Sequence, residues 1–140
     1  MSRLRSARAG AAAALVWAAL EPLDIRLFRN DYSDVAMLGK LVTRSRAWPI
    51  VGLGLHTVNG AAFGLLVDEV RRRKGTRTQP LALGLALAEN FALFPFGAAV
   101  DAFHPARGTP GVASIVSARG LAQATARHTL FGLVLGRLAR

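Results

Sequence analysis

Residues 47–67 read AWPIVGLGLHTVNGAAFGLLV, 21 positions without a charged side chain. As a helix this stretch would be about 31 Å long, enough to cross the hydrocarbon core of a bilayer. It is closed by Asp68 and Glu69 and then by the basic residues Arg71, Arg72, Arg73, Lys74 and Arg77. A basic block directly after an apolar span points to contact with anionic lipid headgroups rather than nucleic acid.

The rest of the chain agrees. Of its 140 residues 52% are hydrophobic and 19% charged, with a mean hydropathy of +0.33. That composition excludes a disordered chain and is too apolar for an ordinary soluble domain. A formal charge of +10 would suit either nucleic acid or an anionic membrane surface, and the hydropathy selects the membrane. With no Cys, disulfides, thiolate metal sites and cysteine nucleophiles are excluded.

Working outward from 47–67, three further helices are expected, at about 9–28, 78–100 and 116–136. The fold class is then all-α, a four-helix transmembrane bundle forming a single membrane domain over 1–140. The first helix follows Arg3, Arg5 and Arg8 as a secretory leader would, yet its apolar run continues through Trp17 into Glu21-Pro22-Leu23-Asp24 instead of polar mature sequence. It therefore reads as retained. Between 30 and 46, Val35, Leu38, Leu41 and Val42 recur at helical spacing, the pattern of a short interfacial helix. The third span is interrupted by Glu89 and bent at Pro95, and a turn-rich loop follows over 101–110. The fourth is the weakest, interrupted by Arg119, Gln123 and Arg127.

Flanking charge orients these spans. With the N-terminus inside, ten basic residues fall on cytoplasmic segments, Arg137 and Arg140 among them, against six outside: Arg26, Arg29, Lys40, Arg44, Arg46 and Arg107. Both termini are expected in the cytoplasm, although the basic first connection opposes that assignment.

The most informative pattern is internal. His56-Thr57 through Gly60 and Gly64, and His128-Thr129 through Gly132 and Gly136, share the form H-T-x-x-G-x-x-x-G and lie 72 residues apart. An offset near half the chain suggests two copies of a two-helix unit. Residues four apart share one helix face, so Gly52, His56, Gly60 and Gly64 form one stripe and Gly120, Ala124, His128, Gly132 and Gly136 another. Such stripes predict close helix packing, and their histidines must face protein rather than acyl chains.

Together with Asn59, Glu89, Asn90, Arg127 and, somewhat outward, Glu21, the two histidines are expected to form a polar network near the bilayer midplane, with Arg127 neutralising Glu89. The structural reading is a network that holds helices together. The sharper one is a proton or cation site, or a metal site on His56, His128 and Glu89, although no close metal spacing exists. Glu21 with Asp24 reads as a helix end at the interface, and His104 beside Pro105 as a solvated or interfacial side chain.

The stretches Glu21-Pro22-Leu23-Asp24, Leu38-Gly39-Lys40-Leu41-Val42-Thr43-Arg44 and His56-x-x-Asn59-Gly60-x-x-Phe63-Gly64 together resemble uncharacterised small four-helix integral membrane proteins of actinobacteria. Sixteen Arg against two Lys agrees with a high-G+C genome. The resemblance covers the first half well and the second loosely, and it implies no substrate, catalytic residue or cofactor. A structural or interaction component of the membrane is the leading expectation. A small proton, ion or solute transporter or channel subunit using the His/Glu network is the alternative, and a soluble basic helical protein is the third reading. Expected partners are the bilayer and, as an open question, a second copy of the chain; no metal, nucleic acid or catalytic activity is expected.

Overall fold

Ser2 starts the first helix, its hydroxyl accepting the Arg5 N–H at 3.3 Å. The structure is a computed structural model that describes residues 2–139, so Arg140, counted above among the cytoplasmic charges, lies outside the described residues. Six α-helices follow one another: α1 (Arg3–Phe28), α2 (Asp34–Val42), α3 (Trp48–Lys74), α4 (Thr78–Leu93), α5 (Gly97–Phe103) and α6 (Ala118–Leu138). A 3-10 turn over Phe94–Phe96 joins α4 to α5 where Pro95 was expected to bend the chain. Among the described residues there is no strand, and one isolated bridge pairs Tyr32 with Val112. Two helical stretches, Trp48–Lys74 and Thr78–Phe103, are long and apolar enough to cross a membrane.

The helix ends depart from expectation at charged residues. Capped by Ser2, α1 begins at residue 3 rather than 9 and takes in Arg3, Arg5 and Arg8, because Arg is a good helix former. The basic block does not stop α3 at residue 67. Arg71 pairs with Asp68 at 3.1 Å and Arg73 with Glu69 at 2.7 Å, one turn apart, and the cations sit where the helix dipole favours them. The stop comes at Gly75, in the left-handed region at φ 63°. The short helix read in 30–46 is α2, capped by the Ser33 hydroxyl, which accepts the Ala36 N–H at 3.0 Å.

α1 and α3 pack along their length in antiparallel sense. Trp17 lies beside His56, Gly10 against Gly60, and Arg3 within 3.7 Å of Glu69. α4 and α6 do the same, with Gln79 against Gly136, Leu83 against Gly132, and Asn90 donating to Thr125 at 3.0 Å. α6 also lies along α1, and α2 along the start of α3, while α3 and α4 touch sparsely beyond their hairpin. One end of the molecule therefore gathers the start of α1, the 75–77 turn and the end of α6. The other gathers 29–47 and 104–117, tied by Ser33 N–H to Gly111 O at 2.9 Å and Lys40 Nζ to Pro110 O at 2.6 Å.

The glycine stripes lie at these contacts. A Cβ on Gly60 would come within 2.6 Å of the Gly10 carbonyl oxygen, on Gly132 within 2.7 Å of Leu83 Cα, and on Gly136 within 2.8 Å of Gln79 Cα. Gly64 meets the Ser6 carbonyl of α1, and Gly52 the Val35 carbonyl of α2. Gly120 differs: the atoms nearest a Cβ there belong to Ile115 and Ser117, in the loop leading into its own helix, rather than to a second helix. The partner glycines Gly10 and Gly39 were not singled out in the sequence, although each is as crowded by backbone as the glycine it faces.

The core is apolar, with Ala9, Ala13, Ala14, Trp17, Phe63, Val67, Ala82, Ala86, Phe131 and Leu135, and it shares the interior with Ser6, Glu21, His56, Asp68, Asn90, Gln123 and Arg127. Other large apolar side chains point outward, among them Leu23, Leu27, Ile50, Val58, Phe96 and Phe103.

Candidate functional site

Arg127, one turn below Gly132's contact on α6, is 2% exposed and reaches across to α1 and α2. Its Nε donates to Asp24 Oδ2 at 2.8 Å while Nη2 takes the other Asp24 oxygen, a two-point grip. Nη1 donates to Asp34 Oδ2 at 2.8 Å, Nη2 also reaches the Tyr32 carbonyl at 2.8 Å, and Glu21 stands 3.7 Å away. Gln123, one turn earlier and fully buried, donates to Asp24 at 2.7 Å and accepts from Asn30 Nδ2 at 2.8 Å. Asp34 is held besides by Trp17 Nε1 and the Tyr32 hydroxyl, each at 3.1 Å. Burial and the adjacent Asp34 carboxylate push the Tyr32 phenol well above its ordinary pKa, so it stays a donor. Glu21 accepts from the Asp34 N–H at 2.7 Å and from the Ser33 hydroxyl, tying α1 to the N-terminus of α2.

This geometry corrects one expectation. Arg127 does not neutralise Glu89, because its guanidinium lies toward Asp24 and Asp34 on the α1 and α2 side. Asp24, near the end of α1, gives Arg127 its two-point grip. Position 127 falls on the helix face that also carries Gly120 and Gln123, so it looks inward. That periodicity could have identified Arg127 as buried, but nothing local in the sequence reveals that its partners come from 24 and 34.

Above this cluster the two repeated histidines converge on one side chain. Trp17 meets His56 at 5.3 Å and His128 at 4.9 Å between ring centroids, both edge-to-face, and Phe131 at 6.1 Å. His128 Nδ1 contacts the Ala124 carbonyl at 2.8 Å, one turn back on its own helix, which turns Nε2 toward Glu89 Oε2 at 3.8 Å. His56 interacts with the Ala14 carbonyl of α1, and its Nε2 is buried without a hydrogen-bond partner. A cavity of about 360 Å³ lies between the helices, lined by the polar side chains of His56, Glu89, Asn90 and His128 and by aromatic rings such as Trp17 and Phe63.

The expected network is thus divided. His56, Asn59, Glu89, Asn90 and His128 line the cavity with Arg127 at its floor, whereas Glu21 binds Ser33 and Asp34 outside it. Among the described residues no three His, Asp or Glu side chains gather as a metal set, so the three-ligand site on His56, His128 and Glu89 does not form. His104 is buried rather than solvated: Nε2 donates to the Met37 carbonyl at 2.9 Å and Nδ1 accepts the Ala106 N–H at 3.1 Å, pinning the 104–117 loop onto α2. The block of Arg71, Arg72, Arg73, Lys74 and Arg77 lies at the C-terminal end of α3 and the turn after it, with Arg71 to Arg73 paired to Asp68 and Glu69. Comparison with protein-family models, curated proteins and solved structures found no match.

Proposed function

We propose that this chain is an integral membrane protein of four spans that binds a small solute in its interior. The carrying observation is a cavity beside buried polar and charged side chains, enclosed by helices that expose many Leu, Ile, Val and Phe side chains. α1 and α6 are too charged to pass as spans on hydropathy, but hydropathy treats each charge as if it met lipid. Here Glu21 and Asp24 of α1 face Arg127 of α6, so those charges travel as an internally paired set. At 26 and 21 residues both helices have the length to cross.

Two copies of a two-helix unit account for the pairing of α1 with α3 and α4 with α6. Ala9 and Ala13 are buried on α1 as Ala82 and Ala86 are on α4, 73 positions later, and Pro22 recurs as Pro95 at the same offset. In both units the His-to-Gly stripe packs on the preceding long helix. The end holding Arg3, Arg5, Arg8, the 71–77 block and Arg137 would face the cytoplasm.

A purely structural role drew its support from the small-residue stripes, which would attract partner helices. Gly60, Gly64, Gly132 and Gly136 are occupied within the chain, and that favours the solute-binding role, whether for transport or for sensing. Extraction of membranes with alkaline carbonate tests the integral reading. The protein should stay in the pellet until detergent is added, and release by carbonate alone would overturn it.

A further inference from the structure

The cavity carries its own statement about charge, and we propose that its ligand is a small organic ammonium ion with an apolar body; this rests on the solute-binding reading above. Arg127 is the one Lys or Arg side chain lining the cavity, and its donors are committed to Asp24, Asp34 and the Tyr32 carbonyl. Across from it stands Glu89, whose nearest charged neighbour is His128 at 3.8 Å, a cation only when doubly protonated. The wall is therefore short of positive charge. It also offers acceptors: with Nδ1 of His128 turned to the Ala124 carbonyl, and the His56 ring engaged with that of Ala14, the Nε2 atoms are left as lone-pair acceptors.

His56 makes this more than an acidic patch. It is 6% exposed, and its Nε2 has no partner, a cost that a buried polar atom bears only where something else supplies the bond. An ammonium group brings up to three N–H donors, matching His56 Nε2, His128 Nε2 and the Glu89 carboxylate. Trp17, in contact with both histidine rings, and Phe63 and Phe131 supply aromatic surfaces suited to a cation's face and to an apolar body. A bare metal ion lacks the donors it would need, since no three-ligand set exists among the described residues. At about 360 Å³ the cavity holds one small molecule and has no room for a diacyl lipid.

The test uses the full chain in detergent with Trp48→Phe, which leaves Trp17 as the sole tryptophan and reports directly on the cavity. Methylammonium, butylammonium and phenethylammonium are titrated against their neutral counterparts methanol, butanol and 2-phenylethanol, and against sodium. Saturable change in Trp17 fluorescence is expected with the larger amines, at least tenfold weaker for the matching alcohol and absent with sodium. Glu89→Gln should weaken amine binding tenfold or more. His56→Phe keeps a ring but removes the acceptor and should do the same, which keeps the test open if the Glu89 variant does not fold. Alcohols binding as well as amines, or unchanged amine affinity in the folded variants, would refute the ammonium class and leave a solute cavity standing. No saturable response to any member of either series would refute both.

Discussion

At Gly60 and Gly132 the side chain is absent because a neighbouring backbone occupies its place. Gly60→Leu and Gly132→Leu should each lower stability by about 1–3 kcal/mol or more, read as a fall in melting temperature in detergent. Two controls share the chemistry but not the contact: a Cβ on Gly54 meets nothing within 4 Å, and Leu65 is exposed. Gly54→Ala should be neutral or stabilising by up to about 1 kcal/mol, and Leu65→Ala nearly silent. Loss of stability in the controls equal to that at Gly60 would show that the contacts are misassigned. Arg127 is the other residue on which the interior turns. Arg127→Met keeps much of the volume but strands Asp24 and Asp34, and truncating one partner of a buried charge cluster costs about 3–5 kcal/mol. Near-parental melting of that variant would mean that the carboxylates find water or protons without it.

Between residues and molecule, the elements show why hydropathy separates α3 from α6. α3 carries His56, Thr57 and Asn59 as the polar side chains of its middle and keeps its charges at the end, whereas α6 places Arg127 in its middle. Arg127 should therefore have opposite effects in two settings. In an insertion assay on the isolated α6 segment, Arg127→Leu should favour insertion by about 2.5–3.5 kcal/mol, the cost of a central charge facing lipid. In the full chain the same substitution should destabilise, because Asp24 then faces no cation. Equal signs in the two assays would separate Arg127 from α1. The bend after α4 belongs to this scale as well. Pro95 was legible as a break, but the path beyond it was not, since α5 and the 104–117 loop are positioned by contacts remote in sequence, such as His104 with Met37.

For the whole molecule, the arrangement of ends makes a topological prediction. Gly75 lies in the turn at one end and Gly108 in the loop at the other, both with positive φ and open space around them. In this Cys-free chain Gly108→Cys should react with an impermeant thiol reagent in intact cells and Gly75→Cys should not. The reverse pattern would invert the proposed orientation, and labelling of both would end the four-span reading. Of the basic residues that opposed the assignment, Lys40 donates to Thr109 and the Pro110 carbonyl and Arg44 to the Pro105 carbonyl, so both tie the 104–117 loop to the 40–44 stretch.

The sequence by itself determined the all-helical class, the break at Pro95, and the face on which His56, Gly60 and Gly64 or His128, Gly132 and Gly136 must lie. Those are local properties: apolar length, ring constraint and a periodicity of 3.6 residues. It also marked His56, Asn59, Glu89, Asn90, Arg127 and His128 among the polar side chains that line the cavity, the histidines because a polar group on a small-residue stripe has to face inward. Only the tertiary structure decided how they pair. Arg127 had several carboxylates within reach of any plausible packing, and the choice of Asp24 and Asp34 over Glu89 depends on α1 and α2 lying on the same side of α6. That placement follows from the fit of Gly10 to Gly60 and of Gly39 to Gly52, backbone contacts that involve residues scores of positions away from Arg127. Charge is long-ranged and indifferent to sequence distance, so its partners were fixed by packing rather than by pattern.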